Sequence, residues 1–563
     1  MRRTLMHFPL FLLSFAFAAV PPTDQRAAET IDTSTPFFEK QYSAWPGPIT
    51  RQRWEARRLA LQTQILTAAG LHPLPAKRTK PRAQIFGKKV YDGFSVEKVL
   101  IETSPNYWLG ANLYRPLTTG RHPAILSPHG HWKEGRLEQT ELGNIPARAV
   151  MLARMGFVVL NYDMAGYNDT KQTPHAFGDA KEQLWNWGPL GLQLWNSIRA
   201  TDFIQSLPDV DPERLGATGA SGGGTQTFLL TAVDDRIKVS APVNMISGIM
   251  QGGSPCENSP GLRIGTFNVE LGALSAPRPM LMVAATGDWT RNTPKQEFPA
   301  IKSIYGLYDK EPLLESVQFN APHNYNRASR EAVYDFFARK MLGLEHGPKE
   351  SDIPVFSKSD LLSLDGRELP RGALSYNQVF EQFKKGLPRR FSRERLMAAL
   401  HAEWPETVEA EESAGSFALT RPGRNDRVEG KVLGGTGKPV LVVHPGGIDE
   451  AESNAAVKAL AAAGRRVLIL KPYKAPPVDD RVKYYLTFQK SEAAERAQDI
   501  LTTLRWLSQK GEKPELLGLE AADTWVRVAD AMTPGGAKPT GLPATDEEWL
   551  RVFPAPGIRW ALP

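Results

Sequence analysis

The chain has 563 residues, 41% hydrophobic and 23% charged, an ordinary globular composition too long for one compact domain. Its net charge of +7 is spread along the chain without a basic block, so no nucleic-acid partner is implied. A lone cysteine, Cys256, excludes an intramolecular disulfide, and with isolated histidines it gives no zinc-cluster spacing; no metal or other cofactor is expected.

In chain order, residues 1–18 read as a signal peptide. Arg2 and Arg3 precede an apolar run, 8–17, too short to span a bilayer, and Ala16-Phe17-Ala18 fits small-x-small cleavage. A secreted or periplasmic location follows, without stable membrane insertion. Residues 19–50 read as a Pro-rich, extended lead-in, and a catalytic domain is expected over 51–345. Within it, 54–69 is a helix ended by Gly70, and 96–103 with 108–115 form an antiparallel pair. A buried strand (124–127), a helix (147–155), a strand (157–162) and a long helix (192–207) come next. Strands at 237–243, 279–285 and 314–319 and a helix at 330–341 complete it. Strands alternating with helices predict a mostly parallel sheet covered on both faces, the α/β-hydrolase architecture.

Residues 346–437 are expected to be a linker and helical connection, and 438–563 a smaller C-terminal α/β domain. There the order strand, His/Gly turn, helix, strand, helix, strand-turn-helix repeats that of 124–233, with Glu520 where Ser221 stands. A degenerate half-copy of the first domain is one reading; an unrelated α/β module of similar rhythm is the other.

Chemistry is concentrated at Gly219-Ala220-Ser221-Gly222-Gly223, between an apolar strand and a helix. This G-x-S-x-G order is a nucleophile elbow, whose tight turn demands small neighbours around the serine. The acid and base expected downstream, in that order, are Asp288 after strand 279–285 and His323 after strand 314–319. A serine hydroxyl attacks only when a base takes its proton, and an acid holds that base in the right tautomer. Asp163, after strand 157–162, is the rival acid, better suited to lining the pocket or bracing a loop.

An oxyanion hole needs two backbone N–H donors. Gly222 supplies one; the loop Ser127-Pro128-His129-Gly130-His131-Trp132 supplies the other, assigned to His131. Trp132, Trp289 and an aromatic insertion with Trp185 and Trp187 are candidate substrate platforms, or lid packing. No base is implied beside Cys256, which argues against a second nucleophile.

The stretches 127–132, 216–227 (GATGASGGGTQT), 284–290 (AATGDWT) and 321–326 (APHNYN) resemble the acetyl xylan esterase-like family of α/β-hydrolases. That family is similar to the cephalosporin-C deacetylases and dienelactone-hydrolase-like esterases. The resemblance covers roughly 50–345. It implies an exported carboxylesterase acting on acetylated plant polysaccharide or oligosaccharide, with Ser221, Asp288 and His323 as triad and His131 and Gly222 as oxyanion donors. The better-known deacetylases carry Tyr at the position of His131 and lack the region after 345. A glucuronoyl or other polysaccharide esterase is the close alternative, with Arg263, Arg278 and Arg291 available for a uronate. A serine exopeptidase shares the triad order, but residues 21–120 show no blade-like repeats. Non-catalytic carbohydrate binding is a further reading for 438–563. Oligomeric state is not legible.

Overall fold

Nine strands form the principal sheet of the computed structural model, which describes residues 20–26, 49–75, 78–424, 426–477 and 483–563. The expected signal peptide and most of the lead-in lie outside the described residues. The strands are β1 (Ala83–Tyr91), β2 (Phe94–Ser104), β3 (Tyr107–Pro116), β4 (His122–Pro128), β5 (Val158–Tyr162), β6 (Val210–Ala220), β7 (Ile237–Val243), β8 (Met280–Gly287) and β9 (Leu314–Pro322). Their order is β1-β2-β3-β5-β4-β6-β7-β8-β9. The run β1-β2-β3-β5 is antiparallel, and from β5 onward every pairing is parallel. The mostly parallel sheet expected from the sequence is therefore present. β1 was not legible because it is a largely exposed edge strand bearing Lys88 and Lys89, interrupted by a bulge, the usual protection of a sheet edge.

The inner strands of the sheet are buried on both faces, which is why they read as continuous apolar runs. Successive side chains point to opposite faces. Leu126, Leu160 and Met282 join a core beneath helices α1 (Arg51–Ala68), α3 (Pro189–Gln205) and α4 (Gly222–Val233). Ile125, Val159 and Val283 join the core on the other face, against α2 (Ile145–Arg154) and α5 (Arg327–Phe337).

The chain divides into two units, with boundaries different from those expected. The larger comprises described residues 49–402 with Pro477–Ala494 and Pro543–Pro563; the smaller includes Glu403–Pro476 and Glu495–Leu542. Residues 346–402, expected as part of a linker and helical connection, carry helices at Tyr376–Gly386 and Arg393–Leu400 and group with the larger unit. Asn112 donates to the Leu361 carbonyl (2.8 Å), and the Ser363 and Leu364 amides donate to Asp169 (2.8 and 2.9 Å). The extreme C-terminus also belongs to the larger unit: Trp560 is buried and donates to the Gly70 carbonyl. These segments also bury Phe356, Leu361, Phe380 and Leu396 against the rest of the larger unit, apolar positions that the surrounding charges and prolines obscure in the sequence.

The smaller unit contains β10 (Glu409–Ser413), β11 (Ser416–Thr420), β12 (Val428–Leu433), β13 (Pro439–Val443), β14 (Arg466–Leu470) and β15 (Glu515–Gly518), then helix α6 (Ala522–Met532). Its order is β10-β11-β12-β14-β13-β15. The β10-β11-β12-β14 run is antiparallel and β14-β13-β15 parallel. This reproduces β1-β2-β3-β5-β4-β6 strand for strand, including three antiparallel strands that begin inside the segment expected to be a linker.

Candidate active site

The turn from β6 to α4 forces Ser221 into a backbone conformation that L residues avoid, with φ 57° and ψ −127°. Such a state costs about 1–3 kcal/mol and persists only where its surroundings fix it. They do: the Ser221 amide donates to the Val243 carbonyl at 3.1 Å. Glycine is obligatory on either side. A Cβ on Gly219 would come within 2.6 Å of the Gly223 and Pro128 carbonyls, and one on Gly223 within 2.7 Å of Pro128 O.

Parallel pairing places the C-terminal ends of β6, β7, β8 and β9 on one edge. Asn244, just past β7, donates its backbone amide to Val283 O (2.8 Å) and its side chain to Asn324 O (3.0 Å), tying the turns after β7 and β9 to strand β8. On that edge His323 Nδ1 lies 2.8 Å from Asp288 Oδ2. The second carboxylate oxygen of Asp288 accepts from the Thr290 amide and hydroxyl at 2.7 and 2.5 Å. Carboxylate oxygens accept, so Nδ1 carries the proton and Nε2 of a neutral ring keeps its lone pair. Among the described residues, that Nε2 is buried without a hydrogen-bond partner, as are the indole nitrogens of Trp132 and Trp289. Both indoles flank His323, with ring centroids 4.3 Å (Trp289) and 6.5 Å (Trp132) away.

The loop after β4 lies against the elbow. A Cβ on Gly130 would meet Ala220 O at 2.6 Å and Ser221 Cβ at 3.1 Å, while one on Gly222 would strike the His131 ring at 2.5 Å. His129 is fully satisfied: Nδ1 donates to Gly130 O (2.7 Å) and Nε2 accepts the Met164 amide (2.9 Å). Burial, with the Arg136 charge nearby, presses its pKa down to about 3, so it stays neutral.

Residues 94–246 match the acetyl xylan esterase (AXE1) family. The solved structure of methylesterase BT1017 is 31% identical, covering 62% of this chain and 78% of that one, with a TM-score of 0.54. The chain belongs to the acetyl xylan esterase-like family of α/β-hydrolases. YtaP of Bacillus subtilis is 30% identical over 157 residues, 26% of this chain and 50% of that protein. Acetyl esterase Axe7A of Xylanibacter ruminicola is 25% identical over 166 residues, 27% of this chain and 35% of its own length. The chain thus spans half or less of these curated relatives.

Within this family member the remaining expected site residues separate. Trp132 and Trp289 border His323, but Trp185 and Trp187 do not. Trp185 is buried, donating to Asp546 (3.1 Å) beneath Arg559, and Trp187 packs on Phe380 and Phe383. Both make packing contacts, and Trp187 also lines a cavity with Phe177 and Tyr484, a distinction the sequence could not draw. Asp163 is fully buried too, ion-paired with Arg136 and accepting from Asn168 and the Asp169 amide (both 3.0 Å). Burial raises its pKa to about 6 against the pull of Arg136. It braces the segment that presents Met164 to His129. Arg263 and Arg278 are spent on buried contacts with Asn268, Asn258 and main-chain carbonyls; Arg291 alone of the three is exposed, beside Asp288.

Cys256 departs furthest from expectation. The sequence offered no base beside it, yet the fold brings two imidazoles to its sulfur: His131 Nε2 at 3.1 Å and His175 Nε2 at 3.6 Å. Burial pushes the thiol well above its ordinary pKa. Sequence distances of 125 and 81 residues hid this cluster.

Proposed function

We propose that this protein is a serine carboxylesterase that removes acetyl or similar small acyl groups from polysaccharide or oligosaccharide. The observation that carries the reading is the His323 ring. Its Nδ1–H is held by Asp288, its Nε2 is unpaired, and it shares a sheet edge with the strained Ser221. In the proposed cycle Ser221 Oγ attacks the acyl carbonyl while His323 Nε2 takes its proton. The Gly222 and His131 amides receive the developing oxyanion, with Gly222 the first residue of a helix whose initial N–H groups lack intrahelical partners. His323 returns the proton to the departing sugar hydroxyl. Water, deprotonated by the same nitrogen, then releases the acid from the acyl-enzyme. In this reading the indole N–H groups of Trp132 and Trp289, beside His323, bind substrate oxygens. Asp288 to Thr290 and Trp289 to His323 contacts keep the base aligned. Arg2, Arg3 and the run 8–17 support export of the mature protein, which its N-terminal mass would test.

A second reading is a methylesterase acting on an esterified uronate. The 31% identity to methylesterase BT1017 favours it, and exposed Arg291 supplies a cation for a carboxylate product. Here the sugar acid is the acyl group and methanol leaves, with Ser221 and His323 in the same roles. Incubation with acetylated xylan and with methyl-esterified polyuronate, measuring acetate and methanol, separates the two. Acetate release supports the first reading and methanol the second. Release of neither, or release undiminished in Ser221→Ala, overturns the serine esterase assignment.

A further inference from the structure

We propose that His131, His175 and Cys256 form a zinc-binding site beside the nucleophile elbow. Their ligand atoms all lie within 4.8 Å of one another. The sulfur-to-nitrogen separations are 3.1 and 3.6 Å. Zinc bound tetrahedrally, with Zn–S near 2.3 Å and Zn–N near 2.0–2.1 Å, requires S···N edges of about 3.5 Å. The two sulfur–nitrogen edges are thus close to those of a zinc site, while the two nitrogens, within 4.8 Å of each other, would close toward the N···N edge of about 3.3 Å that such Zn–N bonds require.

The hydrogen bonding around His175 is that of a prepared ligand. Its Nδ1 lies 2.9 Å from the Ala165 carbonyl, which can only accept, so Nδ1 carries the proton. The lone pair of neutral His175 is thereby on Nε2, directed at the sulfur. Metal-bound histidines are characteristically oriented by such a carbonyl on the opposite nitrogen. His131 presents Nε2 to the same sulfur while the other side of its ring rests against Gly222. Cys256 is buried on a short turn whose geometry is fixed by Glu257, which accepts from the Thr225 hydroxyl and the Gly253 and Ser254 amides. The carboxylate is thus engaged elsewhere, and the set is two imidazoles and one thiolate with a fourth position for water. Soft sulfur with imidazole suits zinc better than magnesium or calcium.

On binding, Zn²⁺ displaces the thiol proton to solvent and a Zn–S bond replaces S–H; both imidazoles coordinate as neutral donors. The ion would clip together the loop after β4, the insertion after β5 and the loop after β7. One consequence rests on the esterase reading: zinc would fix the His131 loop that offers an oxyanion donor. The site itself does not depend on that reading.

The test uses the full-length, metal-stripped protein titrated with Co²⁺ and then Zn²⁺. We expect one Co²⁺ per chain with a thiolate-to-cobalt charge-transfer band, displacement by Zn²⁺, and a rise in Tm with either ion. Ser221→Ala should bind identically, so loss of esterase activity and loss of the metal site are distinguishable. Cys256→Ser should abolish the band, and both it and His175→Asn should weaken binding by about 100-fold. Circular dichroism and Tm of each metal-free variant establish that it is folded. The proposal is overturned if no thiolate band appears at one equivalent, or if folded Cys256→Ser and His175→Asn both bind as the parent does.

Discussion

At Ser221 the larger unit turns from strand to helix with φ 57°; at Glu520 the smaller unit makes the same turn with φ 52°. The likeness extends to neighbours. A Cβ on Gly219 would strike Gly223 O at 2.6 Å, and one on Gly518 would strike Ala522 O at 2.4 Å. In β4 and β6 Leu126 lies opposite Ala217, so Pro128 falls opposite Gly219; in β13 and β15 Val443 lies opposite Gly518. His444 thus corresponds to His129. The units diverge beyond this point. The larger sheet continues through β7, β8 and β9, whose ends carry Asn244, Asp288 and His323, whereas the smaller sheet stops at β15 among the described residues. An elbow is therefore a product of strand order, while an Asp–His pair beside it needs the strands that follow.

The largest effect expected from this contrast is catalytic. Ser221→Ala should lower kcat/KM on p-nitrophenyl acetate by about 10⁴-fold or more, the usual consequence of removing a triad member. Glu520→Ser should leave it unchanged and should not restore activity to Ser221→Ala. Rescue in the double variant would show that the second elbow has catalytic partners after all.

The equivalent histidines differ in their surroundings, and an acid response is expected of His129. His129 is fully buried with both nitrogens engaged, whereas His444 keeps 9% exposure and accepts the Gly446 amide on Nδ1. Because the folded pKa of His129 is depressed to about 3, the unfolded chain takes up this proton below its ordinary value while the folded chain resists. Its stabilising contribution is therefore complete above pH ~6.5 and declines as pH falls toward ~3, a few kcal/mol in all. Tm measured from pH 7 to 4 should drop, and His129→Gln should flatten that drop. An unchanged slope would remove His129 from the acid response.

Much of this contrast was legible from residues. The elbow and the turns bearing Asp288 and His323 follow short apolar strands, which periodicity finds well. Glu520 could be aligned with Ser221 for the same reason. The antiparallel β10, β11 and β12 were missed because Glu409, Glu411 and Glu412 make an exposed edge look like a linker. The burial of Asp163 depends on Arg136, 27 residues earlier, and the grouping of Cys256 with His131 and His175 depends on three separate loops. Aromatic residues were ambiguous for a simpler reason: Trp185 and Trp289 have the same chemistry, and only packing shows that one is buried under Arg559 and the other faces His323.

A smaller effect separates structural from catalytic demands on the turns. Gly219→Ala and Gly518→Ala each place a methyl group against main-chain atoms, so backbone must shift, at a cost of about 1–3 kcal/mol. Denaturant unfolding should register both losses. Only Gly219→Ala should also lower kcat, because only that displacement moves Ser221. A drop in kcat from Gly518→Ala that matches it would mean the smaller unit conditions the chemistry.

The smallest effect concerns what Glu520 is doing in a conformation with φ 52°. A serine nucleophile gives such strain a use, since it exposes the hydroxyl to substrate. Glu520 has no comparable reward: its side chain is 72% exposed and lies 3.8 Å from His444 Nε2, a separation worth little in water. Asparagine occupies left-handed backbone more readily than glutamate and keeps the unfolded-state entropy nearly constant. Glu520→Asn should therefore raise stability by about 0.5–1 kcal/mol, read as a Tm increase of a few degrees. The same replacement at Ser221 should eliminate activity. If Glu520→Asn lowers Tm instead, the pairing with His444 outweighs the strain, and Glu520 is held at the elbow for its own charge rather than as the residue of a lost nucleophile.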